Sequence, residues 1–234
     1  MKLNGFVGKG TGKLGSSVFA VSGGEQIVRQ YNPNVSNPQT TAQVKQRARF
    51  KLLSQIAAAL ASILAFTRDG LKSARNQFVM KNFYLTSCPE DTAEVTLAEL
   101  QLTPGSAVLP TLNVTRASAN TISAGFSADY SASYDRVVYA CVEKTENDKL
   151  SVYSVKTQEK GQDGHFTATI NAPSTACLVY AYGVKFNSAS AKTKFDNYIA
   201  TAGETEAFLG TDVKSLMANA TLSATSGFEI DEQA

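Results

Sequence analysis

Polar and apolar positions alternate near the start of the chain and then change period. Val18 and Ala20, then Ile27, Arg29 and Tyr31, alternate with Phe19, Val21 and Val28. The runs Ser16 to Val21 and Gln26 to Tyr31 flank Ser22-Gly23-Gly24-Glu25, a turn that tolerates positive φ, and predict a β-hairpin. From Val44 the apolar residues recur every three or four positions, at Ala48, Leu52, Ile56, Leu60 and Ile63 or Leu64, which is the helical period. Asn37-Pro38 ends any preceding strand and sets up the helix start, since a first-turn proline sacrifices no hydrogen bond. Thr40 or Thr41 offers the N-cap oxygen. Neither Gly nor Pro interrupts the run to Phe66, so one long helix is expected, stopped at Asp69-Gly70. Leu71, Ala74, Phe78 and Leu85 mark a second, shorter helix folding back on the first.

Ser87-Cys88-Pro89-Glu90-Asp91 reads as a boundary, and a strand through Val95, Leu97, Leu100 and Leu102 follows, ended by Thr103-Pro104-Gly105. Short runs then come at even intervals, near 108–115, 121–127, 136–143, 150–157, 165–171, 177–186 and 195–200. In the fifth, Phe166, Ala168 and Ile170 point inward; in the sixth, Leu178, Tyr180, Tyr182 and Val184 share a face. Asn147-Asp148, Gly161 to Gly164, Asn171-Ala172-Pro173 and Asn187-Ser188-Ala189 supply the turns. The fold class expected is α+β: an N-terminal β-hairpin plus a long basic helix pair, followed by an antiparallel immunoglobulin- or fibronectin-like β-sandwich. The expected organisation is a flexible basic arm at 1–15, a hairpin and helical region at 16–86, the β-sandwich at 87–201 and a polar arm at 202–234. Glu204 to Met217 has room for a short helix, and the residues after it are expected to order only on a partner.

Charge changes this picture more than composition does. The net charge of +2 on 234 residues conceals a split. Residues 1–85 hold 12 Lys and Arg against Glu25 and Asp69, a net of +10, and the rest of the chain carries −8. Such a dipole suits head-to-tail stacking, an acidic partner, or simple matching of the two halves. Lys45 and Arg49 form one i,i+4 ridge of the long helix and Arg47 and Lys51 another, so its first turns are basic on several sides. That is either a solvated helix end or a surface for acidic protein or nucleic acid. The apolar run Ile56 to Phe66 is about half of the roughly 20 residues a membrane span needs, so no membrane contact is expected.

Chemistry is sparse. Gly10-Thr11-Gly12-Lys13-Leu14-Gly15 spells G-x-G-x-x-G, but it lacks the preceding strand and following helix that a dinucleotide site requires. As a P-loop it fails at Leu14, where Ser or Thr must hold magnesium, and at Val7. His165 is the only histidine, on a strand position expected to face solvent, and no nucleophile elbow accompanies it. Glu90-Asp91 and Asp231-Glu232 are acidic pairs in loop-like segments without a pocket to shift their pKa. Cys88, Cys141 and Cys177 are too few and too widely spaced for a disulfide framework or a zinc site, and for Cys141 and Cys177, both on expected central strands, packed thiols are favoured over a disulfide. MKLNGFVGKGTGKLG lacks the apolar stretch of a secretory signal, which places the expected site of synthesis and storage in a cytoplasm. No catalytic residue, cofactor or metal is expected.

Four stretches carry a resemblance: Gly12-Lys13-Leu14-Gly15 with Val18-Phe19; Gln26-Ile27-Val28-Arg29; Asn37-Pro38-Gln39-Thr40-Thr41-Ala42-Gln43; and Gln46-Arg47-Ala48-Arg49-Phe50. Together they resemble a family of uncharacterised proteins of Bacteroides-type gut bacteria, their prophages and related phages. The match covers roughly residues 8–85 by motif and 95–200 by pattern, with Ser16 in place of the family's usual Asn and a longer polar tail after 202. The resemblance implies a non-enzymatic phage virion component of the head, neck or tail, assembled in the host cytoplasm and contacting copies of itself and other virion proteins. The alternative is a nucleic-acid-binding or packaging protein that contacts phosphates non-specifically through its basic half. Lys9, Lys13, Arg29, Lys45, Arg47, Arg49 and Lys51 are the contact residues expected under either reading.

Overall fold

The computed structural model describes residues 10–22, 24–34, 39–69, 72–126, 134–145, 149–160, 165–210, 212–218 and 220–231. Lys9, Asn37, Pro38, Gly70, Leu71, the turns at 147–148 and 161–164, and Glu232 lie outside them. The described chain is mixed α/β, mostly antiparallel sheet with five α-helices.

The N-terminal hairpin is present and gains a strand. β1 (Gly12–Leu14), β2 (Ser17–Ser22) and β3 (Glu25–Gln30) form an antiparallel sheet in that order. Residues Gly12 to Leu14 of the glycine motif therefore form an edge strand. Gly15, at φ +58, opens the turn into β2, a conformation that disfavours a Cβ. The expected 1–15 arm is thus corrected over its described end, because Gly12 to Leu14 pair with Phe19 to Ser17.

α1 (Thr41–Ala59) starts where expected, with the Thr40 side chain accepting from the Gln43 N–H. It ends well short of Phe66. The backbone tightens at Leu60, and Ile63, Leu64, Ala65 and Phe66 are all buried. Four consecutive residues of a helix point in four directions, about 100° apart, so an irregular, more open chain buries this run better. The Ala65 N–H donates to the Leu102 carbonyl at 2.9 Å instead of to a helical partner. α2 (Ala74–Asn82), capped by Ser73, leads into a 3-10 turn at Phe83–Leu85. β4 (Thr86–Ser87) and β5 (Glu94–Val95) make a two-residue ladder, and a second 3-10 turn covers Leu97–Glu99. The strand expected through Val95, Leu97, Leu100 and Leu102 is therefore β5, this turn and irregular chain after it.

Six of the seven later runs are strands: β6 (Leu112–Ser118), β7 (Thr121–Phe126), β8 (Arg136–Lys144), β9 (Leu150–Glu159), β10 (Thr167–Asn171) and β11 (Cys177–Phe186). The seventh is helical. Residues 195–200 lie within α3 (Ala189–Ala202), where the Ser188 side chain caps the first turn and Phe195 and Ile199, four apart, face inward. α4 (Glu204–Leu209) and α5 (Asp212–Met217) divide the expected 204–217 helix at Gly210.

The expected C-terminal arm is also corrected. β12 (Ala220–Leu222) and β13 (Ser226–Ile230) both pair with β11. One interrupted strand covers the whole free edge of β11, while β8 and then β9 extend the sheet on the other side. Ser223 bridges the interruption: its N–H donates to the Gly183 carbonyl and its hydroxyl accepts from the Gly183 N–H at 2.7 Å.

β8 and β11 are buried on both faces. Val138, Ala140, Leu178, Tyr180 and Tyr182 join Leu53, Leu60, Phe78, Phe195 and Phe208 in the larger core cluster. Val137, Tyr139, Cys141, Val179 and Ala181 join Ile122, Ala124, Phe166, Ala168 and Ile170 of the β10-β7-β6 sheet in a second cluster. The larger cluster contains residues from both sides of the expected 86/87 boundary.

Candidate functional site

The basic residues expected to act together divide into two sets. In the N-terminal sheet, Lys13, Val18 and Arg29 stand opposite one another across β1, β2 and β3. Residues paired across antiparallel strands share a face, so Lys13 and Arg29 display their charges on the same side. The Lys13 ammonium lies 3.6 Å from the Tyr31 ring centroid, a cation–π contact. The opposite face carries Leu14, Phe19, Val21 and Val28 with no formal charge, and none of the residues in β1 to β3 is buried.

On α1, two of the four expected residues are internal ties. Lys45 Nζ donates to the Pro89 carbonyl at 2.8 Å. Arg49 donates through Nε to Thr86 Oγ1 at 2.6 Å and through Nη2 to the Phe83 carbonyl at 2.7 Å. Its guanidinium also lies 4.1 Å over the Phe83 ring. Arg49 fastens the helix to the turn after α2, and Lys45 fastens it to the connection between β4 and β5. Arg47 and Lys51, on another side of α1, are exposed. Lys9 lies outside the described residues.

Three aromatic rings that sequence reasoning did not group lie beside this ridge. Phe50 and Phe83 are 5.4 Å apart between centroids, and Tyr84 packs edge-on to Phe83 at 6.4 Å. Phe50 and Tyr84 are 48% and 90% exposed. The adjacent pair Phe83-Tyr84 was visible in the sequence, but its proximity to Phe50 depends on how α2 returns along α1.

A polar cavity of about 350 Å³ opens between β9, β10 and α4, lined by Lys156, Thr169, Asn171, Glu204 and Glu206 among others. The Glu204 carboxylate is already committed. Its Oε1 accepts from the Thr157 N–H and hydroxyl, both at 3.0 Å, and its Oε2 lies 2.7 Å from Lys156 Nζ. Thr205 Oγ1 accepts from the Val155 N–H at 3.1 Å. The first turn of α4 thus supplies the partners that a neighbouring strand would give β9, protecting an edge that would otherwise recruit another chain.

Cys141 and Cys177 are free thiols on neighbouring strands, buried in the second core cluster. The hydrogen bond between them pushes Cys141 far up, with burial adding to it, and holds Cys177 below its ordinary value, with Arg116 adding to that. Arg116 clamps the loop before β11, donating to the Pro173 carbonyl at 2.8 Å and the Thr175 carbonyl at 3.2 Å. His165 is half-buried at the mouth of β10, and the inward set of that strand, Phe166, Ala168 and Ile170, is as expected.

Among the described residues, no group of three or more His, Cys, Asp or Glu is placed to hold a metal ion. No described helix is long and apolar enough to cross a membrane. No family model matches the chain, and comparison with curated proteins gives no match.

Proposed function

We propose that the chain is a non-enzymatic structural component of a phage-type virion, a head, neck or tail protein that assembles as repeated copies. The observation that carries assembly is the β1–β3 sheet. It has no buried residue, and its charge-free face presents Leu14, Phe19, Val21 and Val28, with Leu14 73% exposed. A three-stranded sheet gains independent stability by burying an apolar face, so this one calls for a cover. Lys13 and Arg29 occupy the other face, so close approach of two such apolar faces brings no like charges together. The phage assignment rests on the N-terminal sequence resemblance. Within this reading, the two sheets around Tyr139 serve as an immunoglobulin-like sandwich module, and α1 with α2 as a basic helix pair.

Mass measurement by light scattering at low and high salt tests the proposal. The expected result is a defined oligomer that survives salt and dissociates on the double substitution Leu14→Asp with Val21→Asp. A monomer at all concentrations, absent from purified particles, would refute it.

A further inference from the structure

The aromatic ridge beside α1 has the chemistry of a stacking platform for single strands. Tyr84 is the most exposed large apolar side chain among the described residues, at 90%, yet its position is built rather than loose. It sits in a 3-10 turn whose preceding residue, Phe83, is held from three directions: by Phe50, by the Arg49 guanidinium over its ring, and by the Arg49 hydrogen bond to its carbonyl. Tyr84 meets Phe83 at an interplanar angle of 81°, an edge-to-face contact that leaves most of the Tyr84 side chain exposed. Met80, also exposed, precedes it by one helical turn.

The segment that carries the ridge is basic, with Glu94 brought opposite Ser87 across the β4–β5 ladder. Between Thr41 and Ser87 the chain carries eight Lys and Arg, with Asp69 as its only acidic residue. Arg47 lies three residues before Phe50 on α1, and Lys51 directly after it. The excess of basic residues favours a polyanion, and the rings favour one that offers flat groups. An acidic peptide supplies the charge without the flat groups, and a nucleic-acid duplex keeps its bases stacked inside. We infer that this ridge binds single-stranded nucleic acid, with bases stacking on Tyr84 and Phe50 and phosphates meeting Arg47 and Lys51. The inference extends the nucleic-acid alternative raised by the basic half and does not depend on the assembly reading.

The test is fluorescence anisotropy on the full chain with labelled oligothymidylate, a duplex of equal length and polyglutamate, across a salt series. Binding is expected to favour the single strand over both competitors. Tyr84→Ala is expected to weaken it about tenfold or more while Tyr84→Phe retains it. Replacing Arg47 and Lys51 with Gln is expected to lower the salt slope by about 1 or more. Failure to bind at low salt, equal binding of the duplex or polyglutamate, or an unchanged affinity for Tyr84→Ala would overturn the inference. So would a Tyr84→Ala protein that loses an oligomeric state instead, since the ridge would then be a contact between copies. A side chain this exposed is removable without unfolding, so each outcome reads the surface itself.

Discussion

The side-chain amide of Asn82 pairs with the backbone of Gln101, donating to its carbonyl at 2.9 Å and accepting from its N–H at 2.7 Å. Gln101 repeats the arrangement one step on: its own amide accepts from the Thr225 N–H at 2.9 Å and donates to the Thr225 carbonyl at 3.2 Å. Two carboxamides thus act as short pieces of strand, tying the end of α2 to the connection between β12 and β13. Asn82 is fully buried and also donates to the Phe78 carbonyl, so its polar atoms are satisfied inside the protein.

Asn82→Ala is expected to be among the most destabilising polar substitutions in this protein. It orphans the N–H and carbonyl of Gln101, at a cost of about 1–3 kcal/mol per buried group. Chemical denaturation should show a lower midpoint with an unchanged slope.

Truncation after residue 219 separates an arm from a structural strand. It removes β12 and β13 and bares the edge of β11, whose residues 177–184 are all buried. The truncated protein is expected to aggregate on expression, as an exposed apolar edge recruits other chains. A soluble, cooperatively folding truncation would contradict the pairing of β12 and β13 with β11. Gly227→Ala acts in the same place: its Cβ would lie 2.2 Å from the Ala98 carbonyl oxygen, so β13 must shift, and a clear loss of thermal stability is expected.

Arg49 and Lys51 should behave differently although they are near neighbours on α1. Arg49→Lys gives up the two-site hydrogen bonding and the stacking over Phe83, and is expected to lower stability by about 1–3 kcal/mol. Lys51→Gln, at an exposed position of the same helix, is expected to leave the melting temperature nearly unchanged. Parallel melting curves for the two variants decide this.

Acid should act partly through Glu159. The hydrogen bond from Lys192, with the charge of Arg136, holds its carboxyl below the ordinary value. A carboxylate with a lowered folded pKa contributes stability above its unfolded pKa, about 4.3, and loses it as pH falls through the folded value. Glu159→Gln is therefore expected to flatten the fall in melting temperature on the acid side of about pH 4. The effect should be small, because the side chain is half exposed.

Thiol labelling checks the packing of β8 and β11. Cys88 is partly exposed and Cys141 and Cys177 are buried. Ellman's reagent is expected to titrate Cys88 alone in the folded protein and the other two only in denaturant. Fast native labelling of Cys177 would show that the β10-β7-β6 sheet does not cover it.

The sequence by itself determined the elements whose signals are local. Gly24 specifies a tight turn, Thr40 caps α1, and the alternation of Phe166, Ala168 and Ile170 assigns both a strand and its inner face. Ala191, Phe195 and Ile199 carried the helical spacing of α3 too, but a short apolar run with β-prone neighbours fits either period, and packing of Phe195 on Phe186 and Phe208 chose the helix. Only tertiary structure decided the rest. Ile63 to Phe66 leave the helix because the core takes all four side chains. Arg49 turns inward because Phe83 and Thr86 offer it a ring, a carbonyl and a hydroxyl. Residues 220–230 look like a polar tail because one side of that strand faces water. Its partners, β11 and Gln101, lie far back along the chain, and a pairing over such a distance leaves no periodic mark in the segment itself.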